Sequence, residues 1–426
     1  MEIRLGAARR LCGEVRVPGD KSISHRAVIL GALAEGVTEV SGFLMGEDCL
    51  STVRCLRDLG VPIEGVGEPA IRVCGNGIKS LREPGGVLDA GNSGTTIRML
   101  LGVLAGQDFF SVITGDESLR RRPMGRVVGP LQEMGAHIWG RGGNKLAPLA
   151  VRGTQLTGAA YRSPVASAQV KSAILLAGLH GVGETRVEEP ILSRDHTERM
   201  LAAFGARIKA CGPVVHLAPG PLRARPISVP GDMSSAAFFL VAGSIVPQGE
   251  IVIRDVGINL TRTGILDALG QMGADITILN ERSWGNEPVA DLLVRPARLR
   301  GTIIKGEIIP RLIDELPVLA VAAAVADGAT EIRDATELKV KETDRIKAMA
   351  TELRKMGVEA VELPDGMIIR GGKLHAAVCD SCDDHRVAMA MAVAGLAAAG
   401  ETVVRDAECV NISFPGFVET LRSLTE

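Results

Sequence analysis

The chain has 426 residues, 46% hydrophobic and 23% charged, with a net charge of −2, a profile too long for one core and suited to two domains of a soluble protein. One Tyr and two Trp without a cationic excess exclude a basic, aromatic nucleic-acid surface, while net charge leaves local clustering undetermined. No apolar leader precedes the first strand, and runs such as 387–399 are Ala-rich and too short to span a bilayer, so a cytoplasmic protein without membrane contacts is expected.

In chain order, residues 3–5 and 14–17 read as strands that end on Val17-Pro18-Gly19-Asp20, with Ser22 following. The string returns as Val229-Pro230-Gly231-Asp232, followed by Ser234. Pro fixes φ and Gly permits a positive one, so each copy predicts a tight strand-to-helix corner. Around these corners runs a degenerate repeat: an apolar helix, an Ala/Gly-rich end, a β-branched strand, then a second helix closing on an apolar residue and Gly. Six units start near Arg26, Thr95, Gln169, Ser235, Glu315 and His385. Five close at Gly60, Gly135, Gly205, Gly273 and Gly357, each a candidate C′ cap, and the sixth loses its pair at Leu421-Arg422. Units of roughly 70 residues are too long for a solenoid, and alternating helix and strand predicts α/β layering. Three units lie between the corners and three after them. Two similar domains follow: 18–231 inserted into a discontinuous domain of 1–17 and 232–426, with hinges near 17–21 and 229–233.

The helix starts break a local rule. Partial positive charge at a helix N-terminus disfavours Lys and Arg. Yet Lys21 and Arg26 sit at the first start, Arg98 at the second, Lys171 early in the third and Arg386 at the sixth, and Arg122 precedes another start at Pro123-Met124-Gly125. One such cation is a solvated surface charge; five or more at equivalent places in a repeat read as an anion site. The turn from Asp89 to Thr96 holds two Gly, an Asn and hydroxyls, which suits either an anion-holding nest or an ordinary capped turn, and it lacks the Lys of a nucleotide-binding loop. Residues 339–347 read as a charged helix with Lys341 and Arg345 on one face. Asp314, before a very apolar helix, reads either as an N-cap or as a general base facing cations. Together these residues predict a cleft between two domains, lined by about eight cations, that closes on small polyanions. The eight Cys form no framework, and the lone Cys379-Asp380-Ser381-Cys382 has no second pair to complete a zinc site, so neither metal nor cofactor is expected.

Eight strings, in order over nearly the whole chain, resemble the 5-enolpyruvylshikimate-3-phosphate synthase family of enolpyruvate transferases: PGDKSISHR at 18–26, GNSGTTIR at 91–98, RRPMG at 121–125, SAQVKS at 167–172, SRDHT at 193–197, IDELP at 313–317, KETDR at 341–345 and DHR at 384–386. The resemblance implies a two-domain inverted α/β barrel with three βαβαββ units per domain. It implies transfer of the carboxyvinyl group of phosphoenolpyruvate to the 5-hydroxyl of shikimate 3-phosphate, by addition and elimination without a metal, in the route to chorismate and aromatic amino acids. Carried over by motif, Lys21, Ser22, Arg26, Ser167, Ala168, Gln169, Arg194, Asp314 and Lys341 would hold shikimate 3-phosphate. Lys21, Gly94, Arg122, Gln169, Arg345 and Arg386 would surround phosphoenolpyruvate. Asp314, Lys21, Glu342 and His385 form the expected catalytic set, with Asp314 taking the 5-hydroxyl proton. A monomer with only small-molecule partners is expected.

Two departures stand out. Some members of that family carry a Lys shortly before the final Phe-Pro, where this chain has Asn411-Ile412-Ser413, and Ala168 replaces a Ser whose hydroxyl contact Arg194 would supply. Gly94 leaves room beside phosphoenolpyruvate, which implies sensitivity to glyphosate. The competing readings are the sister enzyme acting on UDP-N-acetylglucosamine, which has Lys-Asn where this chain has Lys21-Ser22, and a non-catalytic anion binder, in which Asp314, Glu342 and His385 would be superfluous.

Overall fold

The computed structural model describes residues 1–425. The chain divides into two compact units. One is discontinuous, comprising Met1–Pro18, Pro230–Ser283 and the chain from Pro288 onward; the other is the insert Gly19–Val229, with which the hairpin tip Trp284–Glu287 groups.

Each unit is built on three sheets of one pattern, a parallel pair extended by antiparallel strands. In the insert, one sheet runs Leu88–Asp89, Phe110–Thr114, Leu146–Arg152, His137–Gly140, and another runs Ala160–Arg162, Thr185–Glu188, Val214–Leu217, Ile208–Cys211. The remaining sheet takes its parallel edge from far along the chain, because Leu222–Arg223 and Ile227–Ser228 both pair with Ala34–Ser41. The discontinuous unit closes in the same manner. There Arg10–Arg16 lies parallel to Gln248–Gly257, and Ile3–Gly6 runs antiparallel to Glu401–Arg405, whose parallel partner is Val378–Asp380. The last repeat has no hairpin of its own, and the N-terminal strand fills that place.

A lead helix precedes one strand of each parallel pair: Lys21–Leu33, Gly94–Ala105, Ala168–Gly178, Met233–Ile245, Leu316–Val325 and His385–Ala397. They are apolar around most of their circumference and therefore lie inside their units; every residue from Leu316 to Ala324 is buried. The second helices bury one face only, as Glu47–Asp58 does with Cys49, Val53 and Leu56. The five closing glycines all adopt the left-handed conformation their position predicts, with φ of 85, 100, 86, 87 and 84° in chain order. In the discontinuous unit Phe238, Phe239, Phe414 and Phe417 form an edge-to-face cluster with centroids 5.4–6.0 Å apart, so the final Phe-Pro anchors the C-terminal helix to a lead helix.

Three local expectations need correction. Neither corner glycine has a positive φ; a Cβ on Gly19 would instead lie 1.9 Å from the Gly42 carbonyl oxygen, so that corner needs Gly for space. The first lead helix starts at Lys21, five residues before Arg26, because Asp20 caps it. Residues 336–340 form a 3-10 turn and the following helix begins at Arg345, so Lys341 and Arg345 share no helix face. No helix among the described residues is long and apolar enough to cross a membrane.

One buried imidazole gives the fold a pH dependence. His180 packs over Gly106, is 5% exposed, and neither ring nitrogen has a hydrogen-bond partner among the described residues. Burial, reinforced by Lys79 and opposed by Asp108, pushes its pKa down to about 4. The unfolded chain takes up the proton near 6.5, so the contribution is whole above that pH and is lost as pH falls toward 4, about 3 kcal/mol in all. Thermal unfolding followed from neutral to acid pH should show this decline, and His180→Leu should flatten it; an identical slope in the variant would exclude His180 as the source.

Candidate active site

Four lead helices are capped by their preceding side chain. Asp20 accepts from Ile23 N at 2.8 Å, Ser93 from Thr96 N at 3.1 Å, Asp232 from Ser234 N at 2.7 Å and Asp384 from Arg386 N at 2.8 Å. None of the six has an acidic residue in its first turn. In the three capped by Asp, the cap itself carries the negative charge that offsets the dipole, which leaves first-turn positions open to cations.

In the insert, the residues gather in two groups. Gly94 starts its helix against two guanidiniums: a Cβ there would lie 2.7 Å from Arg98 Nη1 and 3.6 Å from Arg122 Nη1. Arg122 donates to Asn92 O at 3.2 Å, to Asn92 Oδ1 at 2.5 Å and to Ser118 Oγ at 3.2 Å. Arg98 donates to Gln169 Oε1 at 2.7 Å, while Gln169 Nε2 reaches Thr95 Oγ1 at 3.0 Å. The turn from Asp89 to Thr96 is therefore both a capped turn and the seat of two cations.

The second group surrounds Arg26, which is 3% exposed. Its three nitrogens donate to Thr197 Oγ1 at 2.6 Å, Ser22 O at 2.9 Å and Ser172 Oγ at 2.8 Å. No carboxylate touches it among the described residues, and burial pulls its pKa down to about 10. Ser172 also donates to Ala168 O at 2.5 Å, which ties the start of the helix Ala168–Gly178 to the same cation. Ser167 holds the N-cap position without a side-chain cap bond, and Arg194 is half-buried in the loop before His196–Ala203. Lys21 is ion-paired with Asp48, and both are largely buried.

Lys171 does not belong among the ligand cations. It is 1% exposed and pairs with Glu189 and Glu198, each at 2.7 Å. Burial opposes its charge, but the two carboxylates outweigh burial and raise its pKa.

In the discontinuous unit, Arg345 is 2% exposed and organises three carboxylates. It donates to Asp384 Oδ2 at 2.8 Å, Glu342 Oε2 at 2.7 Å and Asp314 Oδ1 at 3.2 Å. Burial works against this cation, yet Asp384, Glu342 and Asp314 together raise its pKa. Lys341 Nζ lies 3.2 Å from the same Asp314 oxygen. Asp314 is therefore not the cap of Leu316–Val325, whose cap position is Glu315. His385 and Arg386 open the last lead helix, 2% and 6% exposed. Arg386 makes no side-chain hydrogen bond or ion pair among the described residues, the arrangement of a cation kept for an outside anion.

Sequence reasoning missed the groups that hold these cations. Asp384 and Asn92 lie inside motif strings and were open to notice; Asp48, Glu189 and Glu198 carry no local signal. A buried relay also went unseen. His25 Nδ1 contacts Thr52 Oγ1 at 2.7 Å, which contacts Thr96 Oγ1 at 2.6 Å, which reaches Ser93 Oγ at 2.7 Å, joining three helices by their inner faces. Burial, with Lys21 and Arg26 adding to it, keeps the His25 pKa well below its ordinary value.

Residues 6–421 match the family model described as EPSP synthase (3-phosphoshikimate 1-carboxyvinyltransferase). The chain is 60% identical to the 3-phosphoshikimate 1-carboxyvinyltransferase of Desulforudis audaxviator, over 100% of this chain and 99% of that protein. It is 57% identical to the protein of the same name from Desulforamulus reducens, with the same coverage. The structure of EPSP synthase from Acinetobacter baumannii superposes with a TM-score of 0.89 at 45% identity, covering 100% of this chain and 98% of the other.

Proposed function

We infer the function from one premise, that this chain belongs to the EPSP synthase family. It is a 3-phosphoshikimate 1-carboxyvinyltransferase, a transferase of the shikimate pathway. It moves the carboxyvinyl group of phosphoenolpyruvate onto the 5-hydroxyl of shikimate 3-phosphate and releases phosphate. The observation that carries the site assignment is Arg386, a buried cation at a capped helix start with no protein counter-charge among the described residues.

In this reading Arg122, Arg345 and Arg386, with Lys21 and Gln169, hold phosphoenolpyruvate beside Gly94. Lys21, Ser22, Arg26, Ser167, Ala168, Gln169, Arg194, Asp314 and Lys341 hold shikimate 3-phosphate. Arginine forks match carboxylate and phosphate oxygens bidentately, and fixed cations stabilise phosphate as it leaves. Asp314 takes the 5-hydroxyl proton as that oxygen adds to the enol carbon. Lys21 or Glu342 delivers a proton to the methylene carbon, and elimination of phosphate reverses that transfer. Lys341 and Arg345, each 3.2 Å from Asp314 Oδ1, hold the carboxylate in place for that role. His385, beside the Asp384 that steadies Arg345, completes the set. The protein acts as a cytoplasmic monomer, a placement supported by eight free cysteines.

Phosphate release with phosphoenolpyruvate and shikimate 3-phosphate, and none with UDP-N-acetylglucosamine, is the expected result. The reverse preference would favour the sister enzyme, and no release with either would favour a plain anion binder. In the same assay millimolar glyphosate should inhibit. Gly94→Ala should raise KM for phosphoenolpyruvate by roughly tenfold with little change in kcat, because the new methyl displaces the Arg98 guanidinium. An unchanged KM would remove Gly94 from the site.

A further inference from the structure

Glu189 lies outside every motif in the sequence, yet it bonds both to the loop that carries Arg194 and to the start of a lead helix. It is 2% exposed and follows the strand Thr185–Glu188. Its Oε1 accepts from the backbone N–H of Ser167 at 2.9 Å and from Ser193 Oγ at 2.7 Å. Its Oε2 accepts from Ser193 Oγ at 2.8 Å and from Ser193 N at 3.3 Å, and forms an ion pair with Lys171 Nζ at 2.7 Å. One carboxylate therefore clips together two stretches distant in sequence, the start of the helix Ala168–Gly178 and the loop that carries Arg194.

A bare carboxylate here would repel a dianionic phosphate. Lys171 lessens that repulsion, since its ammonium is fully buried against Glu189, although it is shared with Glu198. Ser167 spends its backbone N–H on Glu189 and makes no side-chain cap bond, so its hydroxyl is not committed to its own helix. We propose that Glu189 is a positioning residue for the substrate's phosphate: it sets the spacing of Ser167 and Arg194, with Lys171 offsetting part of its charge. This rests on the assignment of Ser167 and Arg194 to shikimate 3-phosphate.

Glu189→Gln preserves volume but turns an N–H toward the Lys171 ammonium or toward the Ser167 N–H, so one clip must open. The expected result is a rise of roughly 10- to 100-fold in KM for shikimate 3-phosphate, with KM for phosphoenolpyruvate within about threefold and kcat largely kept. Preference for shikimate 3-phosphate over unphosphorylated shikimate in direct binding should fall by the same factor. Glu198→Gln removes equal charge from the same lysine without touching Ser167 or Ser193, and should move KM for shikimate 3-phosphate by about threefold at most. Equal effects of the two variants, or a loss confined to kcat, would make the triad merely structural and overturn the proposal. If Glu189→Gln does not fold, Ser193→Ala, which deletes the hydroxyl contact to both carboxylate oxygens, should show the same one-sided rise in KM. Wild-type protein that binds no shikimate 3-phosphate would overturn the functional reading as well, whereas wild-type binding with an unaffected Glu189→Gln would overturn this inference alone.

Discussion

Asp314→Asn is expected to lower kcat by roughly 10²- to 10⁴-fold, the range for removal of a positioned general base. The amide keeps the shape of the side chain and an oxygen for Arg345 or Lys341, which both lie 3.2 Å from the native Oδ1. Arg345 stays anchored through Asp384 and Glu342, so the local fold should survive. Binding of both substrates should then change far less than turnover, because the lost interaction is made to a proton in flight and not to a ground-state anion. Asp314→Ala should show the same loss in kcat with a larger penalty in stability, since Arg345 and Lys341 each lose a partner. Steady-state kinetics in both substrates, with thermal unfolding as the control for folding, decides it. A kcat within threefold of the parent would transfer the proton to Glu342 or to another group.

What the sequence made legible was local in origin. The corners, the five left-handed glycines and the apolar lead helices each follow from a few adjacent residues, and the structure carries all of them. The misread stretch at 339–347 had its own correction within reach: Asp344 accepts from Lys347 N at 3.2 Å, the spacing of a cap, which starts the helix at Arg345. The failures concern charge. Lys171 and Arg386 look alike in sequence, two cations early in apolar helices, but one is consumed by Glu189 and Glu198 and the other has no counter-charge among the described residues. Only tertiary placement tells them apart, because a carboxylate bound for the interior carries no mark that separates it from a surface one. The same blindness hid Asp48 behind Lys21 and Asp384 behind Arg345.

That difference in company predicts opposite signs for one type of substitution. Arg345→Met should destabilise the protein by roughly 3 to 5 kcal/mol, since it removes the buried cation shared by Asp384, which is fully buried, Glu342 and Asp314. Arg386→Met should leave thermal stability unchanged or raise it. It removes a buried charge that no protein carboxylate pairs among the described residues, from a helix end whose dipole already opposes it. The cost falls on the substrate instead. Two charge-assisted bonds to an anion, worth roughly 1.5 to 3 kcal/mol each, would be lost, so KM for phosphoenolpyruvate should rise at least about 100-fold. KM for shikimate 3-phosphate, measured at saturating phosphoenolpyruvate, should stay near its parent value. Stability given up at Arg386 in the empty protein is thus recovered only when an anion arrives, which is how a binding residue differs from a structural one. A melting temperature that drops by several degrees while KM for phosphoenolpyruvate holds would make Arg386 structural and take with it the observation on which the site assignment rests.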